Sequence, residues 1–463
     1  MNGRKAERPC VERLAEYILE LDKRPLSPNA ERMARLSLLD TLGAGLYSST
    51  QPEAKLFLRA SKQLGSGSTP VWGTSERLEA GMAALVNGSL CHLRELDDVH
   101  YAILHTGCVC VPAALAAAQL QGADFGTLLR ALVNGVEVTA RIALGMDYMD
   151  HRERGWHGTA TCGAFGAAAA AGHVLGLNER QLADAIGIAG SRTGGTWAFS
   201  ADGAMTKRLH PGLAARDGLL AAYLAQTGVT GPHSVLEAED GGFYRLFSQE
   251  WDVERALASS SRLEVENVEF KWFASCKSVH SPIAASLKIH ERTPARKPEE
   301  VKHVEVEVNR SALSMAGHYY EKESVVSAQI SIPYGVALGL TGHLGLAEDY
   351  TFEQLADPVL YALSGRVEVV ESEEFNALRA EKHLSGARVT VYWTDGTSDT
   401  ETVTLPKGSI ADPLTEEDVI HKFRPLAARA LGEGAAEQLL ELVLQAPADT
   451  STAVLAGLLT PGD

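Results

Sequence analysis

Histidine side chains that can carry protons recur directly before segments with the sequence of a helix start. His105 precedes GCVCVPAALAAAQL, His157 precedes GTATCGAFGAAAAAGHVLGL, and proline follows both His210 and His280 within two residues. Ser or Thr N-caps and an early proline are typical of a helix N-terminus. The unpaired N–H groups there favour an anion and disfavour a protonated imidazole. We predict that several of these helix starts converge on one anionic ligand, with neutral histidines as proton carriers.

Carboxylates are concentrated just before His105, in the stretch ELDDVH that begins at Glu95. Clustered carboxylates raise one another's pKa, and a carboxylate can orient an imidazole by accepting its second N–H. We predict that Glu95 and Asp98 contact the ligand; the alternative is a helix end with solvated charges. Asp and His side chains also suit a metal, but the sequence has no HExxH, His-x-His or three-ligand array, so we predict a metal-free site.

The segment 191–212 is rich in both glycine and basic residues. It is too long for a simple connection, and glycine lets a backbone approach an anion closely. We predict a loop that brings four basic side chains to one helix start: Arg192, Lys207, Arg208 and His210. Lys207 is the candidate for holding a substrate carboxylate, and Arg192 and Lys277 are further predicted substrate contacts. The alternative is a surface loop with solvated charges.

The composition excludes several classes of function. The 463 residues carry a net charge of −17, which argues against nucleic-acid and acidic-membrane binding. No long apolar run or signal-peptide core occurs, and six cysteines do not form a disulfide framework, so we expect a cytoplasmic protein. The glycines form neither a dinucleotide fingerprint nor a phosphate loop, and no cofactor is expected.

Hydrophobic spacing predicts a fold that is mainly α with an α+β part. Apolar residues recur every three to four positions as far as about residue 260, with Asp124 and Asn178 as N-caps. VKHVEVEVNR and RVEVVES alternate as strands do, and ARVTVYWTDGTSDTETVTL predicts a hairpin. We therefore expect a helical domain formed by residues 1–264 and 405–463, interrupted by a smaller α/β lid domain at 265–404. The ligand would lie in the cleft between them.

Five motifs occur in the order found in the MmgE/PrpD family, which the chain resembles over nearly its whole length: ELDDVH with His105, GWHGTATCGAFGAAAAAGHVLGL, KRLHPGLAARDG, FKWFASCKSVHSPIAAS and HYYEKESVVSAQISIPYGVALGL. That family includes 2-methylcitrate dehydratase, cis-aconitate decarboxylase and iminodisuccinate epimerase. The resemblance implies a helical domain with a smaller α/β lid and usually a homodimer. It also implies chemistry on small di- or tricarboxylates that needs neither cofactor nor metal.

The same resemblance assigns residues to the pocket and marks two departures. It implies catalytic roles for five residues: His105, His157, Lys207, His280 and Tyr319. Glu95 stands where many relatives have aspartate, and Val99 replaces a frequent threonine. These departures alter the reach and the polarity of the pocket.

The implied chemistry is proton movement beside a carboxylate. A neutral His105 or His157 would remove a proton, Lys207 would stabilise the developing negative charge, and His280 would assist a leaving hydroxide. We predict a lyase, either a dehydratase or a decarboxylase, for a citrate- or aconitate-like acid. The alternatives are an isomerase that epimerises an amino- or imino-dicarboxylate such as iminodisuccinate, and a catalytically silent carboxylate-binding relative. Which histidine is the acid stays open.

Overall fold

A computed structural model describes residues 8–382 and 384–461. The start of the chain, on which the signal-peptide expectation falls, lies partly outside these residues. The first part of the described chain is helical: α1 Cys10–Asp22, α2 Pro28–Ser49, α3 Ala54–Lys62, α4 Ala80–His92, α5 Gly107–Gln121, α6 Phe125–Leu144, α7 Tyr148–Glu153, α8 Gly158–Val174, α9 Glu179–Gly190, α10 Phe199–Asp202, α11 Thr206–Gln226, α12 Phe243–Phe247 and α13 Val253–Ala256. Two short pairings accompany it, β1 Ser66–Pro70 with β2 Arg77–Leu78 and β3 Val99–His100 with β4 Val268–Glu269.

The second part mixes helices with a four-stranded sheet. Its elements are α14 Lys277–Arg292, β5 Val301–Val308, α15 Arg310–Ala316, α16 Val325–Gln329, α17 Ile332–Leu340, α18 Phe352–Leu355, α19 Pro358–Ser364, β6 Val367–Glu371, α20 Glu373–Lys382, β7 Ala387–Trp393 and β8 Ser398–Val403. Three helices end the chain: α21 Glu416–Leu431, α22 Glu433–Gln445 and α23 Thr452–Leu458. The mainly α fold with an α+β part is therefore confirmed.

Small residues allow helix α8 to occupy the centre of the helical part. Every residue from Gly158 to Gly172 is buried, and α8 packs against α5, α6, α9 and α11. A Cβ added at Gly166 would lie 1.7 Å from Thr139 Oγ1, and one at Gly218 would lie 2.4 Å from the Ala167 Cβ. Backbones therefore meet at distances that only glycine permits.

Several predicted helix starts are confirmed, and two are wrong. Asp124 and Asn178 cap their helices with side-chain acceptors, and His157 is the N-cap residue of α8. Helix α11 begins before His210 and α14 begins before His280, so both histidines lie inside helices. Pro211 and Pro282 are each the sixth residue of a helix, where the ring keeps a helical φ but removes one backbone hydrogen bond, so a proline does not by itself mark the first helical residue.

The start of α11 also corrects the prediction for the segment 191–212. Helix α10 interrupts the segment, and α11 already includes its last residues. The predicted glycine-rich loop is therefore shorter than expected. Three of its four basic residues project from the first turns of a helix: Lys207, Arg208 and His210.

The predicted strands form one sheet of order β6-β5-β7-β8. β5 pairs parallel with β6 and antiparallel with β7, and β7 pairs antiparallel with β8. The predicted hairpin is confirmed: it turns at Gly396, whose φ of +89° suits a residue without a side chain. Helix α14 packs against β7, β8 and α17.

Two large hydrophobic cores underlie this arrangement, and a smaller cluster lies between α3, β2 and α4. The first contains the helices before residue 257 together with side chains from α21 and α22, such as Phe423 and Leu439. The second contains α14 to β8 and receives Tyr47, Leu96 and Leu426 from the helical part. We propose on this basis that the middle of the chain is an inserted domain, with the bounds 1–264, 265–404 and 405–463 given above.

In the described part of the chain, each helix is too short or too polar to cross a membrane.

Replacing Gly166 by alanine tests the close packing at α8. The new methyl group would overlap Thr139 and the Gly135 carbonyl oxygen, 2.5 Å away. We expect a loss of about 1–3 kcal/mol in the free energy of unfolding, the usual cost of overpacking. Gly457→Ala is the control, because that exposed helical position has open space around it and gains helix propensity. Equal stability of the two variants in urea denaturation would contradict close packing.

Candidate active site

A cavity of about 380 Å³ lies where the two hydrophobic cores meet. Its charged and aromatic lining includes side chains from α11, from the loops before α5, α8 and α10, and from the segment that precedes α14: Glu95, His105, His157, Lys207, Lys271 and Trp197. Its outer part is lined by Lys277, Ser311, Met315 and the end of α20. The volume is at the small end of the range for ligand sites, ~300–1,000 Å³. The cavity therefore suits a small molecule rather than a polymer.

Five of the predicted site residues line this cavity, and they come from distant parts of the sequence: Glu95, His105, His157, Lys207 and Lys277. The convergence of histidines and a lysine on one cavity was the central expectation from the sequence. For His105, His157 and Lys207 the structure shows this convergence.

The other four predicted residues lie outside the cavity lining. Tyr319 is 58% exposed and donates to the Val367 carbonyl oxygen, and the exposed Arg192 pairs with Asp217. His280 is completely buried within α14, where its Nε2 faces the Ser275 carbonyl oxygen at 3.3 Å.

Asp98 is the fourth of these residues, and the start of α5 uses its carboxylate. The Thr106 hydroxyl donates to it at 2.7 Å, and the Gly107 N–H donates at 3.1 Å. Thr106 is the N-cap residue, but its own side chain makes no cap hydrogen bond. Asp98 therefore satisfies an orphan helix N–H instead of a ligand.

Glu95 holds three cations with one buried carboxylate. Oε1 accepts from Lys207 and from Arg208, and Oε2 accepts from Lys271 at 2.8 Å. Its φ of +52° is in the left-handed region, a strained conformation for a glutamate. Burial by itself raises the pKa of Glu95, but Lys207, Lys271 and Arg208 outweigh it and hold the pKa well below its usual value. Glu95 is therefore ionised, and it does not hold a proton near neutral pH as the carboxylate cluster in the sequence suggested.

Lys207 combines a cavity position with a lowered pKa. Burial is the main cause of this shift, with Arg208 and Lys271 adding to it and Glu95 opposing it. An ammonium group has three N–H donors, and Glu95 accepts one of them. The remaining donors can bind a ligand carboxylate.

Hydrogen-bond acceptors determine the tautomer of His105. Its Nδ1 lies 2.6 Å from the Asp98 carbonyl oxygen and 3.2 Å from Asp97 Oδ2. A carbonyl oxygen can only accept. The Asp97 carboxylate can also only accept, because it is ionised: burial raises its pKa, but His92, His105 and Lys271 lower the pKa by more. Nδ1 therefore carries the hydrogen, and Nε2 is left with the lone pair of a base.

His157 is paired with a second imidazole. Its Nδ1 lies 3.0 Å from the Nδ1 of His210, so one ring donates and the other accepts. Burial lowers the pKa of His157 well below its usual value, and His210 and Lys207 lower it further. The predicted neutral ring is confirmed, with burial as its main cause. If His210 donates, His157 presents an N–H to the cavity; if it accepts, His157 presents a lone pair.

Three residues of this site were missed as site residues from the sequence: His92, Asp97 and Lys271. His92 ends α4 and is completely buried, as is Lys271. The one available signal for His92 is its position three residues before Glu95. Asp97 lies inside the acidic stretch, but nothing in the sequence distinguishes its bridging role from the capping role of Asp98.

Among the described residues, one group has metal-ligand side chains close together: His92, Asp97 and Cys108. His92 Nδ1 and Asp97 Oδ2 are 2.8 Å apart, which is a hydrogen-bond distance. These two atoms therefore form a hydrogen bond. That the reaction needs no metal stays a prediction.

Characterised relatives match along most of the chain. Cis-aconitate decarboxylase of Aspergillus terreus is 29% identical over 433 residues, covering 89% of this chain and 88% of the relative. Human cis-aconitate decarboxylase is 29% identical over 439 residues, with 90% and 88% covered. The mitochondrial 2-methylcitrate dehydratase of Yarrowia lipolytica is 24% identical over 431 residues, with 86% and 79% covered.

Two family models match consecutive parts of the chain. The MmgE/PrpD N-terminal domain matches residues 12–256, and the MmgE/PrpD C-terminal domain matches residues 273–446. The junction between them falls just before α14, near the change from the first hydrophobic core to the second. Because these matches cover most of the chain, and in agreement with the motifs in its sequence, the protein belongs to the MmgE/PrpD family.

Proposed function

We propose that this protein is a cofactor-independent lyase that acts beside a carboxylate of a small di- or tricarboxylic acid of the citrate or aconitate type. The observation that carries the proposal is the juxtaposition, in one cavity, of the His105 and His157 rings with Lys207. An acid of this kind needs a cation for its carboxylate and a proton carrier at the neighbouring carbon. The names of the relatives support the same class of reaction.

A carboxy-lyase is the first candidate, because the relatives include cis-aconitate decarboxylases from fungi and mammals. In this reaction the bond between carbon and carboxylate breaks, and carbon dioxide leaves. The electron pair is delocalised towards a conjugated carboxylate, where Lys207 stabilises the negative charge. An imidazole then delivers a proton to carbon. A bound polyanion favours the protonated form of a ring beside it, so the imidazole takes up this proton from solvent before it delivers it.

A hydro-lyase is the second candidate, supported by the dehydratase among the relatives. Here the Nε2 of His105, which has the lone pair, removes the proton next to a carboxylate. His157, protonated beside the bound polyanion, donates a proton to the leaving hydroxide and becomes neutral, while its Nδ1–H donates to His210. The two candidates use the same side chains and differ in the bond that breaks.

The proposal also covers the oligomeric state, the compartment and the partners of the protein. We propose a homodimer in the cytoplasm without a nucleic-acid partner, in line with the net charge of −17 and with six cysteines that are all free thiols. The outer lining of the cavity includes Lys277, which lies 3.4 Å from Glu269. We propose that Lys277 contacts a second carboxylate of the substrate.

Incubation with candidate acids in deuterated water tests the proposed reaction. The acids are cis-aconitate, 2-methylcitrate and iminodisuccinate, with products followed by NMR. Release of carbon dioxide or of water from the first two supports the lyase. Deuterium incorporation into an unchanged iminodisuccinate skeleton, with altered optical rotation, would replace the lyase by the epimerase. Binding of a tricarboxylate with neither turnover nor exchange would show a silent relative.

Replacing either histidine by glutamine tests proton transfer. His105→Gln and His157→Gln keep a polar side chain in the cavity but cannot take up or release a proton. We expect kcat to fall by about 10²-fold or more in each variant, the usual loss for a general acid or base. His303→Gln is the matched control, because His303 is an exposed residue of the sheet. A turnover equal to that of the control would remove that histidine from the chemistry.

Replacing Lys207 by methionine tests charge stabilisation. The variant keeps the length of the side chain and leaves Arg208 and Lys271 on Glu95. We expect kcat/KM to fall by roughly 10- to 100-fold, as for the loss of one charged hydrogen bond. Lys302→Met on the exposed side of β5 is the control. An unchanged kcat/KM in a folded Lys207→Met enzyme would contradict the proposed role.

A further inference from the structure

A further imidazole lies behind the cavity wall, close to the rings of both His105 and His157. His92 is completely buried at the end of α4. Its ring centroid is 4.6 Å from that of His105 in an edge arrangement and 5.9 Å from that of His157 in a stacked one. His92 is therefore close to both proposed proton carriers without lining the cavity.

One carboxylate oxygen connects His92 to His105. Asp97 Oδ2 lies 2.8 Å from the Nδ1 of His92 and 3.2 Å from the Nδ1 of His105. Asp97 is completely buried and ionised; its Oδ2 accepts a hydrogen bond from His92 and lies within ion-pair distance of His105. The Nδ1 of His105 is closer to the Asp98 carbonyl oxygen, at 2.6 Å, so its hydrogen is divided between two acceptors.

Two buried polar atoms of the His92–Asp97 pair lie outside the hydrogen bond that joins the two side chains. Within the described ranges 8–382 and 384–461, neither Nε2 of His92 nor Oδ1 of Asp97 has a hydrogen-bond partner. Buried polar atoms are seldom left unpaired, because their desolvation costs free energy. Lys271 Nζ lies 3.9 Å from that Oδ1 as an ion-pair partner, so the unsatisfied Nε2 of His92 is the atom that indicates a role for the His92–Asp97 pair beyond stability.

We propose that His92 is a positioning residue for His105, which shares the Asp97 oxygen with it and thereby limits how strongly Asp97 raises the basicity of the His105 Nε2. A carboxylate that accepted from His105 only would stabilise the imidazolium and hold its proton. Sharing the oxygen keeps the ring able both to take up and to release a proton. The inference rests on the proposed function, in which His105 is a proton carrier.

The surroundings of His92 determine that it acts through its hydrogen bond and not through its own charge. Burial lowers the pKa of His92 to about 3, so the ring is neutral at physiological pH. The titratable groups that face His92 or its partner Asp97 come from α2, α4, the loop after it, α5, α8 and α11, together with the segment before α14: Asp40, Cys91, Glu95, Asp98, His105, Cys108, His157, Lys207 and Lys271. These titratable groups are unchanged in every variant proposed below.

Two substitutions at His92 separate its hydrogen bond from its bulk. In His92→Asn the amide nitrogen replaces Nδ1 and can still donate to Asp97. In His92→Phe the ring remains but the donor is lost. We expect the acid limb of the kcat/KM profile to move upward by about half a pH unit to one unit in His92→Phe, because the negative charge of Asp97, no longer hydrogen-bonded to His92, then acts more strongly on His105. In His92→Asn the limb should stay within about 0.2 units of wild type.

Thermal unfolding of each variant provides the folding control. Loss of activity in both variants without movement of the acid limb would overturn the proposal and leave His92 a structural role. A shift of equal size in both variants would overturn it as well, because only the phenylalanine variant lacks the donor.

A measurement on the unchanged protein covers the case in which His92→Phe does not fold. A neutron structure at neutral pH locates the hydrogens directly. We expect deuterium on Nδ1 of both His92 and His105, and deuterium on Nε2 instead of Nδ1 of His92 would overturn the proposal, because His92 would then donate no hydrogen bond to Asp97. This measurement needs no turnover, so it distinguishes failure of the positioning role from failure of the proposed lyase reaction.

Discussion

The ion cluster around Glu95 is the interaction on which the rest of the site depends. A buried carboxylate is stable only when it is paired, and this one binds Lys207 and Arg208 of α11 together with Lys271 of the segment before α14. Gln329 extends the junction, because its amide accepts from Arg208 and donates to the carbonyl oxygens of Arg94 and Ala274. The cluster thereby joins the helical part to the part that contains the sheet, and the cavity lies at that junction.

Burial and the surrounding charges determine which ligand the junction favours and how its imidazoles are protonated. Three cations around one carboxylate leave an excess of positive charge beside a small cavity, which favours an anion. His92 and His157 are neutral because burial and Lys207 both disfavour the imidazolium. In the proposed function, the negative charge of a bound polycarboxylate favours a protonated ring, so substrate binding is coupled to proton uptake.

Local features of the sequence predicted much of the fold, and tertiary contacts account for what they missed. The Ala/Gly run of α8 and the Asp395-Gly396 turn follow from residue type, and both formed as expected. Pro211 and Pro282 were misleading because proline is tolerated within the first turns of a helix and does not fix its first residue. In the site, His105, His157 and Lys207 were found from their motifs. His92 and Lys271 were missed because their roles depend on contacts with Asp97 and Glu95, which the sequence of α4 or of the segment before α14 does not contain.

A crystal structure of the protein with a saturated tricarboxylate that cannot react tests the central claim most directly. The account predicts one carboxylate within hydrogen-bond distance of Lys207 Nζ, with the adjoining carbon in contact with Nε2 of His105 or His157. An acid bound elsewhere, with these three side chains left untouched, would contradict the account.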